Sequence, residues 1–205
     1  MLVYPTYFSP IVQYVVLAKA ENLMFEVEDN YQKQTYRTRC YIYGANGKQL
    51  LSIPVKNANS TQQTKEVLID HSYQWQKQHL KSIASAYRSS PFYEFYEDEI
   101  NAFLRTKTKY LLDFNLKCQE LLIDLLQMDT SYKLTKIFNK DVAADFRSLA
   151  DSKMKVNYHF KPYTQVFSDK HGFIPNLSIL DLLFMEGPNA LNYLEHQILD
   201  LLEWK

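Results

Sequence analysis

The chain has 205 residues and balances 23 Lys and Arg against 23 Asp and Glu, so its formal net charge at pH 7 is zero. This length suffices to bury a sizeable core as one domain over residues 1–205, and the missing overall charge argues against a nucleic-acid-binding protein or one that adheres to anionic membranes. Its four glycines form no G-x-G pattern, which argues against a P-loop or dinucleotide-binding enzyme.

The N-terminal part of the chain predicts a helix followed by a strand. Apolar residues at helical spacing indicate a helix over residues 9–20, and residues 22–27 have the character of a strand. The start of the chain lacks a positively charged leader region, and its longest apolar run, 11–18, is too short to cross a bilayer. We therefore expect no membrane span and a cytoplasmic protein.

An antiparallel hairpin is predicted over about residues 38–55. Residues 38–43 alternate between apolar and polar, residues 49–55 alternate again, and Asn46-Gly47 between them signals a type I′ turn. Pro54 cannot donate to a strand ladder, so the second strand is expected at a sheet edge.

The remainder of the chain is mainly helical by pattern. Helices are predicted over 72–90, stopped by Pro91, and over 92–107 and 109–128, the last with a leucine stripe wide enough for burial on more than one side. A strand is expected near 132–135. A C-terminal helical pair follows: one helix over 178–186 stops at Gly187-Pro188, and a second places four apolar residues on one face, Leu191, Leu194, Ile198 and Leu201. Together these elements predict an α/β fold, a sheet including the hairpin and covered by helices.

The balanced charge hides a basic middle region. Between residues 30 and 90 there are nine Lys or Arg and two acidic residues, while both flanks are acidic. A neutral protein with such a region can hold a small phosphorylated ligand without binding every polyanion.

The segment DNYQKQTYRTRC (29–40) concentrates long donors immediately before the hairpin. Residues two apart on a strand share a face, so Arg37 and Arg39 point the same way, with Lys33 in the loop before them. Arg is a planar bidentate donor, so the pair could clamp a phosphate or carboxylate, with Tyr31 or Tyr36 at the wall of the cleft. A charged strand face in water is the alternative, and it is the default for an isolated Arg pair.

The candidate for proton transfer is His79, four residues after Trp75 on the helix predicted over 72–90. The pKa of histidine lies near neutrality, which suits a general acid or base, although packing beside Trp75 would also explain the residue. The other histidines form no ligand pattern with it. Cys40 and Cys118 match no metal or redox spacing, so we expect reduced, buried thiols, no metal and no cofactor.

A helix N-terminus near residue 178 offers a second possible anion contact. Ser178 and Asp181 have the spacing of a capping box, which alone would explain both residues. Alternatively, the helix start, with Asn176 and Ser178, faces the basic site and contributes amide donors to an anion. In that hypothesis the two arginines and the start of this helix line one cleft.

Five stretches together resemble the WbqC-like protein family, in the form of a Bacteroidetes-type member. They are PTYFSPIVQY (5–14), DNYQKQTYRTRC (29–40), GANGKQLLSIPV (44–55), WQKQHLKSIASAYRSSPFYEFY (75–96) and YTQVFSDKHGFIPNLSILDLLFMEGP (163–188). The resemblance implies a role in surface-polysaccharide or O-antigen synthesis, as a transferase of glycine or another small acyl group onto a sugar. The resemblance also implies that the middle segment, 130–153, is reduced here compared with the longer members of the family. Any chemistry that depends on that segment would then be absent or altered.

These observations give two hypotheses. In the first, the chain is a transferase acting on a phosphorylated or nucleotide-linked sugar. His79 and Asp181 are its catalytic candidates, and the substrate-binding candidates are Tyr31, Lys33, Tyr36, Arg37, Arg39, Trp75, Gln165, Asn176 and Ser178. In the second, the chain is a non-catalytic protein that binds a sugar phosphate or serves as a scaffold. A homodimer and a complex with partner biosynthetic enzymes are both compatible with either hypothesis.

Overall fold

The computed structural model describes residues 1–154 and 159–198, which form a mixed α/β fold. A parallel sheet has the strand order β1-β2-β5, and an antiparallel hairpin, β3-β4, forms a two-stranded sheet of its own. The strands are β1 (Leu2–Val3), β2 (Leu23–Phe25), β3 (Arg39–Gly44), β4 (Gly47–Ser52) and β5 (Tyr132–Leu134). The predicted fold class is therefore confirmed.

Seven helices accompany the two sheets within the described residues. Six of them lie close to their predicted positions, whereas the one-turn helix over residues 168–171 was not predicted. The seven helices are α1 (Ile11–Ala18), α2 (Trp75–Tyr87), α3 (Tyr93–Arg105), α4 (Leu111–Leu125), the one-turn α5 (Ser168–His171), α6 (Ile179–Glu186) and α7 (Ala190–Glu195). Throughout the two described ranges, each helix is too short or too polar to cross a lipid bilayer.

Helix α1 lies in the centre of the core. Every residue from Ile11 to Leu17 is buried, including Gln13, because the helix is apolar on nearly all sides. It packs against α6 and α7, which joins the beginning of the described chain to its last helices. The buried cysteines belong to the same core, and both are free thiols as predicted.

The hairpin turn differs from the predicted type. Gly44 pairs with Gly47, so Ala45 and Asn46 are the two loop residues. A type I′ turn needs positive φ at both loop positions, whereas positive φ occurs here at Gly47, at 94°, and at neither loop residue. The glycine was therefore correctly identified as the residue that the turn requires, but it occupies the position after the loop.

The C-terminal helical pair is confirmed as α6 and α7. Gly187 separates the helices with a φ of 52°, and a Cβ built on it would lie 2.5 Å from the ring of Phe92. Of the face predicted for the second helix, Leu194 is buried, whereas Ile198 is 86% exposed because α7 ends at Glu195. Leu201 lies outside the described residues.

Candidate functional site

The N-terminal segment, residues 4–10 between β1 and α1, contacts several of the predicted site residues. The Tyr7 amide donates to the carbonyl of Tyr36 at 2.9 Å. Helix α4 joins this segment to the basic stretch, because Asn115 Nδ2 donates to the carbonyls of both Pro5 and Arg37, at 3.3 and 2.9 Å. These contacts hold the loop against the basic stretch that precedes the hairpin.

Arg37 lies under this segment and is 1% exposed. Its Nη2 donates to Asp29 Oδ2 at 2.6 Å, and its guanidinium carbon lies 3.8 Å from the centre of the Tyr4 ring. Asp29 also accepts a hydrogen bond from Thr64 Oγ1 at 2.8 Å. Because β3 begins at Arg39, Arg37 lies before the strand and not, as predicted, on its face. Its burial excludes, for Arg37, the alternative of a solvated strand face.

Part of the hydrogen-bonding capacity of this basic cluster is unused. Arg37 Nε and Nη1 and Arg39 Nε are buried, and none of them has a hydrogen-bond partner within the described residues. A guanidinium carries five N–H donors in a planar fork, and leaving buried donors unpaired is unfavourable by ~1–3 kcal/mol each. The cluster is therefore equipped to donate to an anion.

Tyr31 is buried beside the same cluster. Burial raises the pKa of the Tyr31 hydroxyl, while a hydrogen bond from Thr38 and the charges of Arg37 and Arg39 act to lower it. Both guanidiniums are thus close enough to Tyr31 to act on its hydroxyl. Lys33 is exposed in the preceding loop.

Tyr36 lies beside the cluster and is buried. Its amide donates to the carbonyl of Ala150 at 2.8 Å, and its ring packs edge-on against Tyr41 with centroids 6.1 Å apart. These contacts attach the basic stretch to the chain near residue 150.

Buried charges around Tyr4 shape the electrostatics of the cluster. The pKa of Tyr4 is raised to about 12, mainly by burial and then by Asp29, against the lowering effects of Arg37 and Arg147. Burial likewise raises the pKa of Asp29, and the charge of Arg37 opposes this. Tyr4 therefore stays protonated at neutral pH beside two arginines.

His79 and Trp75 form a second group on α2. His79 Nδ1 is hydrogen-bonded to the Tyr7 hydroxyl at 2.8 Å, and the centroids of the His79 and Trp75 rings lie 5.1 Å apart. Burial lowers the pKa of His79 to about 4, and a hydrogen bond with the backbone of Ser52 only partly opposes this. At neutral pH the imidazole is therefore uncharged.

Asp181 is the centre of a third group and is itself fully buried. Its carboxylate accepts hydrogen bonds from the hydroxyls of Tyr87 and Tyr163, at 2.9 and 2.5 Å, and from Gln165 Nε2 at 2.8 Å. Burial raises its pKa, although the three donors oppose the shift. The predicted capping box is thus only half formed, because Asp181 makes these bonds while Ser178 alone caps α6.

Asn176 and Ser178 bind the N-terminal segment and α1. Asn176 Oδ1 accepts from the amide of Val12, at the start of α1, at 2.8 Å. Ser178 Oγ donates to the carbonyl of Phe8 at 2.9 Å, and the Ser178 amide donates to Tyr41. Both side chains therefore have structural partners inside the protein.

Apart from the exposed Lys33, the predicted residues thus lie in four groups: the Arg37 cluster, the pair on α2, the Asp181 group, and Asn176 with Ser178. The segment 4–10 contacts three of these groups through different residues. Tyr4 stacks on Arg37, Tyr7 binds His79, and Phe8 binds Ser178. The common cleft of the two arginines and the start of α6 stays a prediction.

Sequence reasoning missed several residues that hold these groups in place. Asn115 and Gln119 are polar residues within the apolar stripe of α4, and Gln119 Nε2 donates to the carbonyl of Thr6 at 2.7 Å. Buried side-chain amides need hydrogen-bond partners. Two such side chains four residues apart on a buried helix face therefore indicate a polar contact with another segment. Tyr4 and Tyr7 carried no such signal.

Comparison with known proteins identifies one family. The model of the WbqC-like protein family matches residues 5–151 and 145–193, and the junction of the two stretches falls within the segment 130–153. No curated protein and no solved structure matches the chain. Among the residues that the structure describes, no group of three or more His, Cys, Asp or Glu is placed to hold a metal ion.

Proposed function

The chain belongs to the WbqC-like protein family, and from this premise we propose that it is a transferase of surface-polysaccharide or O-antigen synthesis that binds a phosphorylated or nucleotide-linked sugar. The observation that supports the proposal most directly is the partly used guanidinium of Arg37. One of its nitrogens pairs with Asp29, while Nε and Nη1 lie buried without a partner among the described residues. A phosphate accepting from these donors would satisfy them.

The proposed anion site consists of Arg37, Arg39 and the hydroxyl of Tyr31. The two guanidiniums would bind the phosphate oxygens, because charge-assisted hydrogen bonds are the strong ones and arginine matches the geometry of phosphate. Lys33, exposed in the adjoining loop, would attract the ligand electrostatically. The transferred group would be glycine or another small acyl group, with Gln165, Asn176 and Ser178 on the acceptor side.

Proton transfer by His79 requires a rearrangement in this proposal. The imidazole is neutral at pH 7, as a general base must be, but its Nδ1 is engaged by Tyr7. Substrate binding would therefore have to open the Tyr7–His79 hydrogen bond before His79 could accept a proton. Asp181 would support the site by orienting Tyr163 and Gln165.

The alternative of a non-catalytic sugar-phosphate-binding protein is favoured by the state of the two catalytic candidates. His79 and Asp181 are both buried, and both have hydrogen-bond partners inside the protein. A protein that only binds would keep the anion cluster and need no free acid or base.

A thermal-shift screen of nucleotide sugars, nucleotides and amino acids tests the anion site. A ligand present at 100 times its dissociation constant should add ~2.7 kcal/mol of apparent stability. Arg39→Gln should abolish the shift, whereas Arg105→Gln, an exposed arginine at the end of α3, should leave it unchanged. If no compound in the panel shifts the melting temperature, or if the shifts in the two variants are equal, the proposal is wrong.

A transfer assay separates the two functions. Any ligand that shifts the wild type is incubated with protein and with activated glycine or acyl donors, and the product is measured by mass spectrometry. A mass increase that depends on the protein and is lost in Arg39→Gln supports the transferase. Binding without any product supports the non-catalytic alternative.

A further inference from the structure

A pocket lined by basic residues lies where the chain before α2 meets the loop between α3 and α4. Its volume is about 300 Å³. Three lysines line it, Lys56, Lys107 and Lys109, together with His71 and Thr108. None of these residues entered the predicted site.

Backbone pairing holds the two walls of this pocket together. The Ile69 amide donates to the carbonyl of Lys109 at 3.0 Å, and the Leu111 amide donates to Val67 at 2.9 Å. His71 Nε2 is hydrogen-bonded to the carbonyl of Thr108 at 2.9 Å. Because α4 starts at Leu111 and runs for 15 residues, the positive end of its dipole lies next to the pocket.

Thr108 carries an unused polar group at this position. The residue is 7% exposed, and its hydroxyl oxygen is buried with no hydrogen-bond partner among the described residues. Buried polar side-chain atoms nearly always have a partner, so an unpaired hydroxyl in a pocket lined by three lysines points to a ligand that supplies an acceptor. We propose that this pocket binds the phosphate or diphosphate group of a small soluble ligand, with the Thr108 hydroxyl donating to the anion and the three lysines neutralising it.

Two neighbouring groups limit the attraction for the anion. The Asp70 carboxylate is close to Lys56 and His71; its pKa is lowered mainly by hydrogen bonding to Ser72 and further by the charges of these two neighbours. Lys109 Nζ lies 5.0 Å from the centre of the Tyr110 ring, so this lysine also interacts with an aromatic face. Removing the charge of Asp70 should therefore tighten anion binding.

Trp75 gives the pocket an optical reporter. The ring of His71 stacks on Trp75 with centroids 6.4 Å apart and planes 30° apart. The chain has two tryptophans, Trp75 and Trp204. In a Trp204→Phe background, a change of indole fluorescence on ligand addition reports on the surroundings of Trp75.

The test is a titration of this background protein with inorganic phosphate and with pyrophosphate, followed by fluorescence and by calorimetry. Pyrophosphate should bind more tightly than phosphate because it carries more charge, and rising NaCl should weaken both. Thr108→Val, which keeps the shape of the side chain, should weaken binding about tenfold through the loss of one hydrogen bond to a charged group. Its melting temperature should not fall, since the lost hydroxyl has no partner in the described protein.

Charge variants complete the test. Lys107→Gln should weaken binding several-fold, Asp70→Asn should strengthen it, and Lys77→Gln, an exposed lysine on α2, should change nothing. Unchanged affinity in both Thr108→Val and Lys107→Gln would overturn the proposal, as would the absence of binding to the wild type at millimolar pyrophosphate. Binding that is lost in Arg39→Gln but kept in Lys107→Gln would assign the anion to the Arg37 cluster instead.

Discussion

Acidification from pH 7 to pH 5 is expected to destabilise the protein through His79. In the folded protein burial lowers the pKa of this imidazole to about 4, compared with an ordinary value of 6.5. The unfolded chain therefore binds a proton at a pH where the folded protein does not. The stability contributed by the neutral buried ring is present above pH 6.5 and is lost as the pH falls towards 4.

The magnitude follows from these two values. A difference of about 2.5 between them corresponds to about 3 kcal/mol at full protonation of both states, since each pH unit is worth about 1.4 kcal/mol. Between pH 7 and pH 5 the unfolded chain takes up most of its proton while the folded ring stays largely neutral. About 2 kcal/mol of this contribution should be lost in that interval.

Urea denaturation at pH 7 and pH 5 measures this loss when wild type and His79→Gln are compared. Other groups titrate in the same interval, but they contribute equally to both proteins and cancel in the difference. The His79→Gln variant should be less stable at pH 7, and its loss on acidification should be about 2 kcal/mol smaller than that of the wild type. His196→Gln, at an exposed position, should follow the wild type. Equal losses in wild type and His79→Gln would refute the buried, uncharged state of His79.

Three further predictions concern the contacts that hold the site. Arg37→Met should lower the free energy of unfolding by about 3–5 kcal/mol in urea denaturation, because it leaves the buried Asp29 without its counter-charge. Adding Asp29→Asn should restore most of this loss. If it restores none, the ion pair does not have the role assigned to it here. Asn176→Gly should lower the free energy of unfolding by about 1 kcal/mol, because the amide of Val12 at the start of α1 loses its acceptor. Asn176→Ala should lower it further, because φ is 56° at this position and alanine is strained there. Equal losses in the two variants would argue against a role for the backbone conformation. Gly187→Ala should lower the free energy of unfolding by ~1–3 kcal/mol, because the added methyl would meet the Phe92 ring. Adding Phe92→Leu should restore part of the loss. Unchanged stability in Gly187→Ala would contradict the close packing.

Local patterns predicted the elements of this fold well. The Gly187-Pro188 stop separated the two C-terminal helices correctly, and Gly47 located the hairpin turn, because both signals act within a few residues. The predicted helices were longer than the observed ones by one to three residues at most ends. For α6, the pattern included Ser178, which is the cap and not the first helical residue.

The site was less predictable because its contacts are long-range. Alternation treated Arg37 as lying on the same strand face as Arg39, but β3 begins at Arg39 and Arg37 precedes it. Alternation also gave no information on burial, which for Arg37 depends on Tyr4 and Asp29 covering the guanidinium. Asp181 likewise has the spacing of a helix cap. The donors that occupy its carboxylate come from residues as far as 94 positions away, and no local pattern carries that information.

The segment 4–10 also has a consequence for the order in which the chain is made. The Phe8 carbonyl and the Ser178 hydroxyl that binds it are 170 residues apart. At ~5–20 residues per second, a ribosome adds Ser178 roughly 10–35 s after Phe8. During that interval the amide of Val12 lacks its acceptor Asn176, and the Phe8 carbonyl lacks the Ser178 hydroxyl. Closing such a long loop is slow, so the packing of this apolar segment stays incomplete until α6 has been synthesised.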